Sequence, residues 1–202
     1  MQQESIAWRA RLRARPGVGT LFLLDGASCS GKSTLVDRLS ADVDLVPRYS
    51  TRERRQDDLR RREYIFVSPE IFRERARVGA FIEYRDFLFG MSYGLPWAEA
   101  FEPLLEGRAA LGVINLGNVG HVKTLVPEAV TILVDASLDT IRRRLVARAV
   151  NTPEQIEERL FNAARVQEFR GLYDHVVTNE EGGLAGAETF LRNLIASRSA
   201  RT

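Results

Sequence analysis

The sequence predicts an α/β fold, a parallel sheet with helices on both faces, and three observations carry that expectation. The apolar runs at 21–24, 111–115 and 130–134 are near-continuous rather than alternating, as in strands buried on both faces. Segments with helix-start signals lie between and after them, so strands and helices alternate along the chain. Residues 26–33 read Gly-Ala-Ser-Cys-Ser-Gly-Lys-Ser, a G-x-x-x-x-G-K-S sequence set between the first apolar run and a helical segment that opens at Thr34.

Taken in order, residues 4–14 read as a short basic helix on the surface, ended by Pro16-Gly17. Strand, glycine-rich turn and helix occupy 20–40. A polar, arginine-dense stretch runs from 48 to 63, and residues 64–67 (Tyr-Ile-Phe-Val) read as a strand. Ser68 with Pro69 makes a helix start. Residues 81–84 are strand-like, and Pro96 starts a helix that runs to about Gly107. Strands at 111–115 and 130–134 are followed by helices at 137–149 and 153–170. Thr152, Pro153 and Gln155 form a capping-box start for the second of these. A strand at 174–178 and a helix at 186–197 complete the pattern. The 48–96 stretch breaks the alternation and reads as an insertion. The expected organisation is an N-terminal extension over 1–18 and one domain over 19–202, with an insertion at about 48–96 and a helical lid at about 137–160.

Composition narrows the function. The 202 residues suit one domain, 28% charge is ordinary, and a net charge of +2 argues against a surface for nucleic acid or membrane. The lone Cys29 excludes an internal disulfide, and no apolar segment suggests a leader or a membrane span. The expected location is cytoplasmic. Of 29 basic residues only Lys32 and Lys123 are lysines. A lysine kept after Gly31 in so arginine-rich a chain points to a need for a compact ammonium.

The chemistry starts at residues 26–34. The glycines let the backbone curl so that N–H groups converge on phosphate oxygens, and the following helix aims its N-terminus at the same place. Gly26, Ala27, Ser28, Cys29, Ser30, Gly31, Lys32, Ser33 and Thr34 are thus expected to hold ATP. Lys32 would neutralise the β- and γ-phosphates, and the Ser33 hydroxyl would ligate Mg²⁺. Cys29 serves as a small residue within the loop. His121 and His175 lack the spacing of metal ligands or of a nucleophile–base pair, and read as structural.

Residues 48–67 carry a second pattern. Thr51, Arg52, Arg55, Asp58, Glu63, Tyr64, Phe66 and Val67 fall in register with the T-T-R-x-x-R-x-G-E-x-x-G-x-D-Y-x-F-V segment of guanylate kinases. The resemblance continues at Phe81-Ile82-Glu83, at Ser92-Tyr93-Gly94, through Arg143–Arg148, at Glu158-Arg159-Leu160 and over 173–179. It covers about residues 20–180. It implies a phosphotransferase that moves a phosphoryl group from ATP to a phosphomonoester, a GMP-like nucleotide above all. It also implies that Arg52, Arg55, Tyr64 and Tyr93 grip the acceptor phosphate, which suits planar guanidinium forks and phenolic donors. Asp58 and Glu83 would accept hydrogen bonds from the group the phosphate carries. Arg144, Arg148 and Arg159 would belong to a lid closing over the triphosphate. The other arginines of the run, Arg54 and Arg60 to Arg62, are expected to be solvated.

The chain also departs from that pattern. Arg48 stands where guanine-specific members carry a serine, and Leu95-Pro96 follows Tyr93-Gly94 where they carry hydroxyls. Asn115 is the nearest counterpart of the family's aspartate after the central strand. The form Arg48-Tyr49-Ser50-Thr51-Arg52 resembles ribose 1,5-bisphosphate phosphokinases, which share the fold but phosphorylate a sugar phosphate; that family usually lacks an acid at the position of Glu83. Three rivals therefore stand beside a nucleotide kinase. One is a sugar-phosphate or other small-metabolite kinase. Another is a non-catalytic binding module, which the intact loop opposes. The last is a nucleic-acid-binding protein, which the balanced charge opposes.

Overall fold

The computed structural model describes residues 3–54, 58, 63–86, 90–149 and 152–199. Arg55, and Arg60 to Arg62, lie outside the described residues. The main sheet has five parallel strands. They are β1 (Leu21–Asp25), β2 (Asp44–Leu45), β7 (Ala110–Val113), β8 (Val130–Asp135) and β9 (His175–Thr178), in the spatial order β2-β7-β1-β8-β9. The central strand β1 shows why the apolar run does not alternate. Leu21 and Leu23 point into one core cluster, Phe22 and Leu24 into another on the opposite face, and all four are buried.

The first face is covered by α4 (Trp97–Leu105) and α5 (Val119–Leu125), the second by α2 (Lys32–Leu39) and α8 (Leu184–Ser199). Helix α1 (Gln3–Arg13) is more than a solvated extension. Trp8 is buried against Phe101 of α4, with ring centroids 6.3 Å apart, and so joins the first core. The basic composition of α1 hides this single anchoring side chain.

The stretch expected to be an insertion carries a second sheet. Its strands are β3 (Arg48–Ser50), β4 (Tyr64–Phe66), β5 (Phe81–Asp86) and β6 (Ser92–Pro96), in the order β4-β3-β6-β5. The β3–β4 pair is parallel and the other pairs are antiparallel. Helix α3 (Pro69–Arg77) starts at Ser68, whose hydroxyl accepts from the Ile71 N–H, and packs Phe72 on Phe81. Two further helices, α6 (Leu138–Ala147) and α7 (Pro153–Arg165), share a small core of Ala27, Ala136, Ile141, Leu145, Leu160 and Ala163. The expected capping box of Thr152 and Gln155 is formed. Helix α7 is shorter than the sequence suggests, because a 3₁₀ segment takes over at Val166–Leu172.

Candidate active site

The phosphate loop leaves the C-terminal end of β1 and runs into α2. Its glycines answer real constraints. At Gly31 φ is 103°, and a Cβ there would stand 2.1 Å from Asn179 Nδ2. At Gly26 a Cβ would meet the Val134 carbonyl oxygen at 2.3 Å. Lys32 turns back over the loop, donating from Nζ to the carbonyls of Gly26 (2.5 Å) and Ala27 (2.7 Å). Burial pushes its ammonium down to about 8, opposed by the nearby Asp25 charge. Asn179, just past β9, donates to the Ser30 carbonyl (2.7 Å). Ser30 Oγ and Asn179 Oδ1 are buried with no partner in the protein.

Asp25 at the tip of β1 was not singled out by the sequence. It is fully buried and accepts from the Gly26 N–H (2.6 Å), the Tyr173 hydroxyl (2.5 Å) and the Gly117 N–H (3.3 Å). Burial pushes its carboxyl up to about 6, although the Tyr173 hydrogen bond and the Lys32 charge both favour the anion. Its reference value is 3.8, so between these two pH values the folded protein binds more protons at this site than the unfolded chain. The stability contributed by that proton is complete below the reference value and is lost as pH rises through about 6. Asp25→Asn removes this linkage. In urea denaturation the variant should gain on wild type by roughly 2–3 kcal/mol from acid to neutral pH. A difference that stays flat across that range would show that Asp25 titrates normally.

Helices α7 and α6 reach the loop through two arginines. Arg159 on α7 donates to Ser28 Oγ (2.9 Å). Arg144 on α6 donates to the carbonyls of Cys29 (3.2 Å) and Asn179 (2.9 Å). Arg148, which caps the end of α6, is exposed and borders the cleft.

That cleft, of about 680 Å³, is lined by Gly26, Lys32 and Ser33 of the loop region and by Arg48 and Tyr64 of the second sheet. In the second sheet, Arg52 forms a two-pronged ion pair with Asp58 (2.6 and 2.7 Å) and lies over the rings of Tyr64 and Phe66. Tyr64 and Tyr93 meet edge to face, with centroids 6.1 Å apart. Glu83 is fully buried, with Asn115 and Asn118 donating to its carboxylate. Thus Lys32, Ser33, Arg144, Arg148 and Tyr64 share one cleft. Arg52, Asp58, Glu83 and Tyr93 are not part of its lining. The pairing of Asp58 with Arg52 and of Glu83 with two asparagines was not legible in the sequence.

The donor set fits a hard cation held mainly by its nucleotide. No group of three or more His, Cys, Asp or Glu side chains clusters among the described residues. Ser33 in the first turn of α2 borders the cleft, as Ser28 and Thr34 also do, and Mg²⁺ typically takes one or two protein ligands beside phosphate and water. No helix among the described residues is long and apolar enough to cross a membrane.

Phosphate loops serve many nucleotide-hydrolysing proteins. A second sheet facing the loop across a cleft, with its own buried arginines, makes room for a second substrate and defines a P-loop kinase. The guanylate kinase family model matches residues 19–193. The chain is 36% identical over 171 residues to a guanylate kinase of Deinococcus radiodurans, covering 81% of this chain and 70% of that one. It is 31% identical over 189 residues to a guanylate kinase of Symbiobacterium thermophilum, covering 91% and 88%. Among solved structures, guanylate kinase from Anaplasma phagocytophilum superposes with a TM-score of 0.72 at 23% identity, covering 90% of this chain and 87% of that one, a likeness of fold. The chain belongs to the guanylate kinase family and is an ATP-dependent phosphotransferase.

Proposed function

We propose that the protein transfers the γ-phosphoryl group of Mg²⁺-bound ATP to GMP, forming ADP and GDP. The observation that carries this reading is the continuous cleft from the phosphate loop to Arg48 and Tyr64, in a chain whose relatives are guanylate kinases. An oxygen of the acceptor phosphate attacks the γ-phosphorus, the bond to the β,γ-bridging oxygen breaks, and ADP leaves with that electron pair. No general base is required, because the attacking oxygen is already anionic at neutral pH. The work of the protein is positioning and charge stabilisation.

On this reading the N–H groups of the loop and Lys32 hold the β- and γ-phosphates. Ser30 Oγ and Asn179 Oδ1, buried without partners, stand beside the loop where a nucleotide would meet them. Ser33 would ligate the metal, which when bound screens the phosphate charge. Arg144 and Arg159 join the lid to the loop, and Arg148 adds positive charge at the cleft. Arg52 and Tyr64, with Arg55, orient the acceptor phosphate, and Tyr93 supports Tyr64. A non-catalytic module is disfavoured by the complete loop with Lys32 in place. A sugar phosphate is disfavoured by the relatives.

The test is direct. With ATP and Mg²⁺, GMP should yield ADP and GDP in equal amounts, followed by chromatography of the products. Failure of GMP at millimolar concentration in a folded preparation would remove the proposal.

A further inference from the structure

A second cavity, of about 470 Å³, lies where α1 meets the ends of α4 and α5. Gly19 and Thr20, just ahead of β1, line it, whereas the phosphate loop leaves that strand after Asp25. The 5 residues of β1 stand between them, about 16 Å of extended chain. The two cavities share no lining residue.

The helical period decides what faces this cavity. Trp8 and Leu12 are one turn apart, and both pack against the core that α4 covers, so they fix how α1 lies. Arg9 and Arg13 each follow by one position, share the neighbouring face and line the cavity. Arg15, just past the helix, is a third cation in the lining. Most of the remaining wall is apolar, with Leu12, Val18, Phe101 and Leu125.

These three cations have no counter-charge. Arg38, Arg108, Arg142 and Arg192 each pair with a carboxylate. Arg9, Arg13 and Arg15 form no ion pair or side-chain hydrogen bond among the described residues, not even with Glu128 in the same lining. The cavity thus joins an apolar wall to an excess of positive charge. The guanylate kinase family model begins at residue 19, so α1 and its arginines lie outside the matched span.

We propose that this cavity is a second binding site, for a single-chain aliphatic anion. Guanidinium forks suit the paired oxygens of a carboxylate or phosphate head, and the chain lies against Leu12, Phe101 and Leu125. The volume is in the range of small-molecule sites. A nucleotide fits poorly, because beside the arginines only Thr20 and Glu128 offer polar side chains to read a base or ribose. A bilayer fits poorly as well, because Trp8 is turned into the core and away from any lipid surface.

Isothermal titration calorimetry below micellar concentrations tests this on the full chain, with decanoate, decyl phosphate, octanoate, decanol and decyltrimethylammonium as probes. Decanoate or decyl phosphate should saturate one site per chain, with an affinity that saturating ATP leaves unchanged. A buried methylene is worth about 0.8 kcal/mol, or roughly fourfold in affinity, so octanoate should bind at least about tenfold more weakly than decanoate. Decanol should also bind at least about tenfold more weakly, and decyltrimethylammonium not at all. Arg13 and Arg15 are exposed, so Arg13→Glu combined with Arg15→Glu should keep the fold and weaken both anions at least about tenfold. Val18→Trp should fill the cavity and abolish binding; should it fail to fold, the double variant still decides. The inference is overturned by absence of saturable binding, by equal binding of the cationic amphiphile, by displacement with ATP, or by undiminished affinity in the folded double variant. Association with phosphatidylglycerol vesicles but not with monomeric decanoate would make α1 a membrane contact and overturns it too. None of these outcomes bears on the GMP reading, which rests on the other cavity.

Discussion

Lys32→Ala is expected to abolish phosphoryl transfer while leaving the protein folded. The side chain contacts the loop rather than either main core, donating to the carbonyls of Gly26 and Ala27 at 2.5 and 2.7 Å. A nucleotide would take over those donors, so Lys32 is held near the place where the β- and γ-phosphates belong. Burial lowers its pKa to about 8, which leaves it mostly protonated at neutral pH. Losing a cation where charge develops in a water-poor site should lower kcat by about 10³-fold or more, roughly 4 kcal/mol. Stability should change little, because Lys32 packs on the loop and belongs to neither main core. A coupled ADP-release assay beside a thermal melt checks both parts. Near wild-type turnover by a folded variant would refute the donor site itself.

The same loop shows which parts of the molecule a sequence displays. Residues 26–33 are contiguous, so the whole pattern stands in one stretch of the sequence. Strands β1, β7 and β8 were legible because both faces are buried, so their apolar runs stand out. Strands β2 and β3, with two and three residues, are too short to show any period. Strand β6 carries Gly94 and ends at Pro96, residues that argue against a strand, yet it pairs with both β3 and β5. Helix α5 has no side-chain cap to announce it.

The acceptor end illustrates a different obstacle. Arg48 was visible as a departure from the family pattern, but its partners come from distant segments. Asn115 follows β7, Asn118 precedes α5, and Glu83 sits on β5. Only the meeting of the two sheets brings them together. Asp25 was hidden for the same reason, since Tyr173 and Gly117 approach it from far along the chain. A residue type can suggest that Glu83 accepts hydrogen bonds. Which donors reach it first is decided by tertiary structure.

Arg52→Ala should weaken every acceptor to a similar degree. Arg52 presents both Nη atoms to Asp58 at 2.6 and 2.7 Å, and its guanidinium lies against the neighbouring rings of Tyr64 and Phe66 at 4.8 and 4.9 Å. The side chain is 8% exposed, so its orientation is fixed before any substrate arrives. A carboxylate and a phosphate offer the same pair of oxygens to a guanidinium fork. Asp58 therefore holds Arg52 in the geometry that a phosphate would require and yields to the substrate. Removing the fork should cost about 2–4 kcal/mol in kcat/KM, roughly 30- to 1000-fold, for each acceptor tried. Arg52→Lys should recover little, since an ammonium cannot reproduce two parallel hydrogen bonds or stack on Tyr64. The KM for ATP should be unchanged in both variants, because Arg52 does not border the phosphate loop. Loss confined to one acceptor would move Arg52 from the phosphate to the base, and the map of this end of the cleft would have to be redrawn.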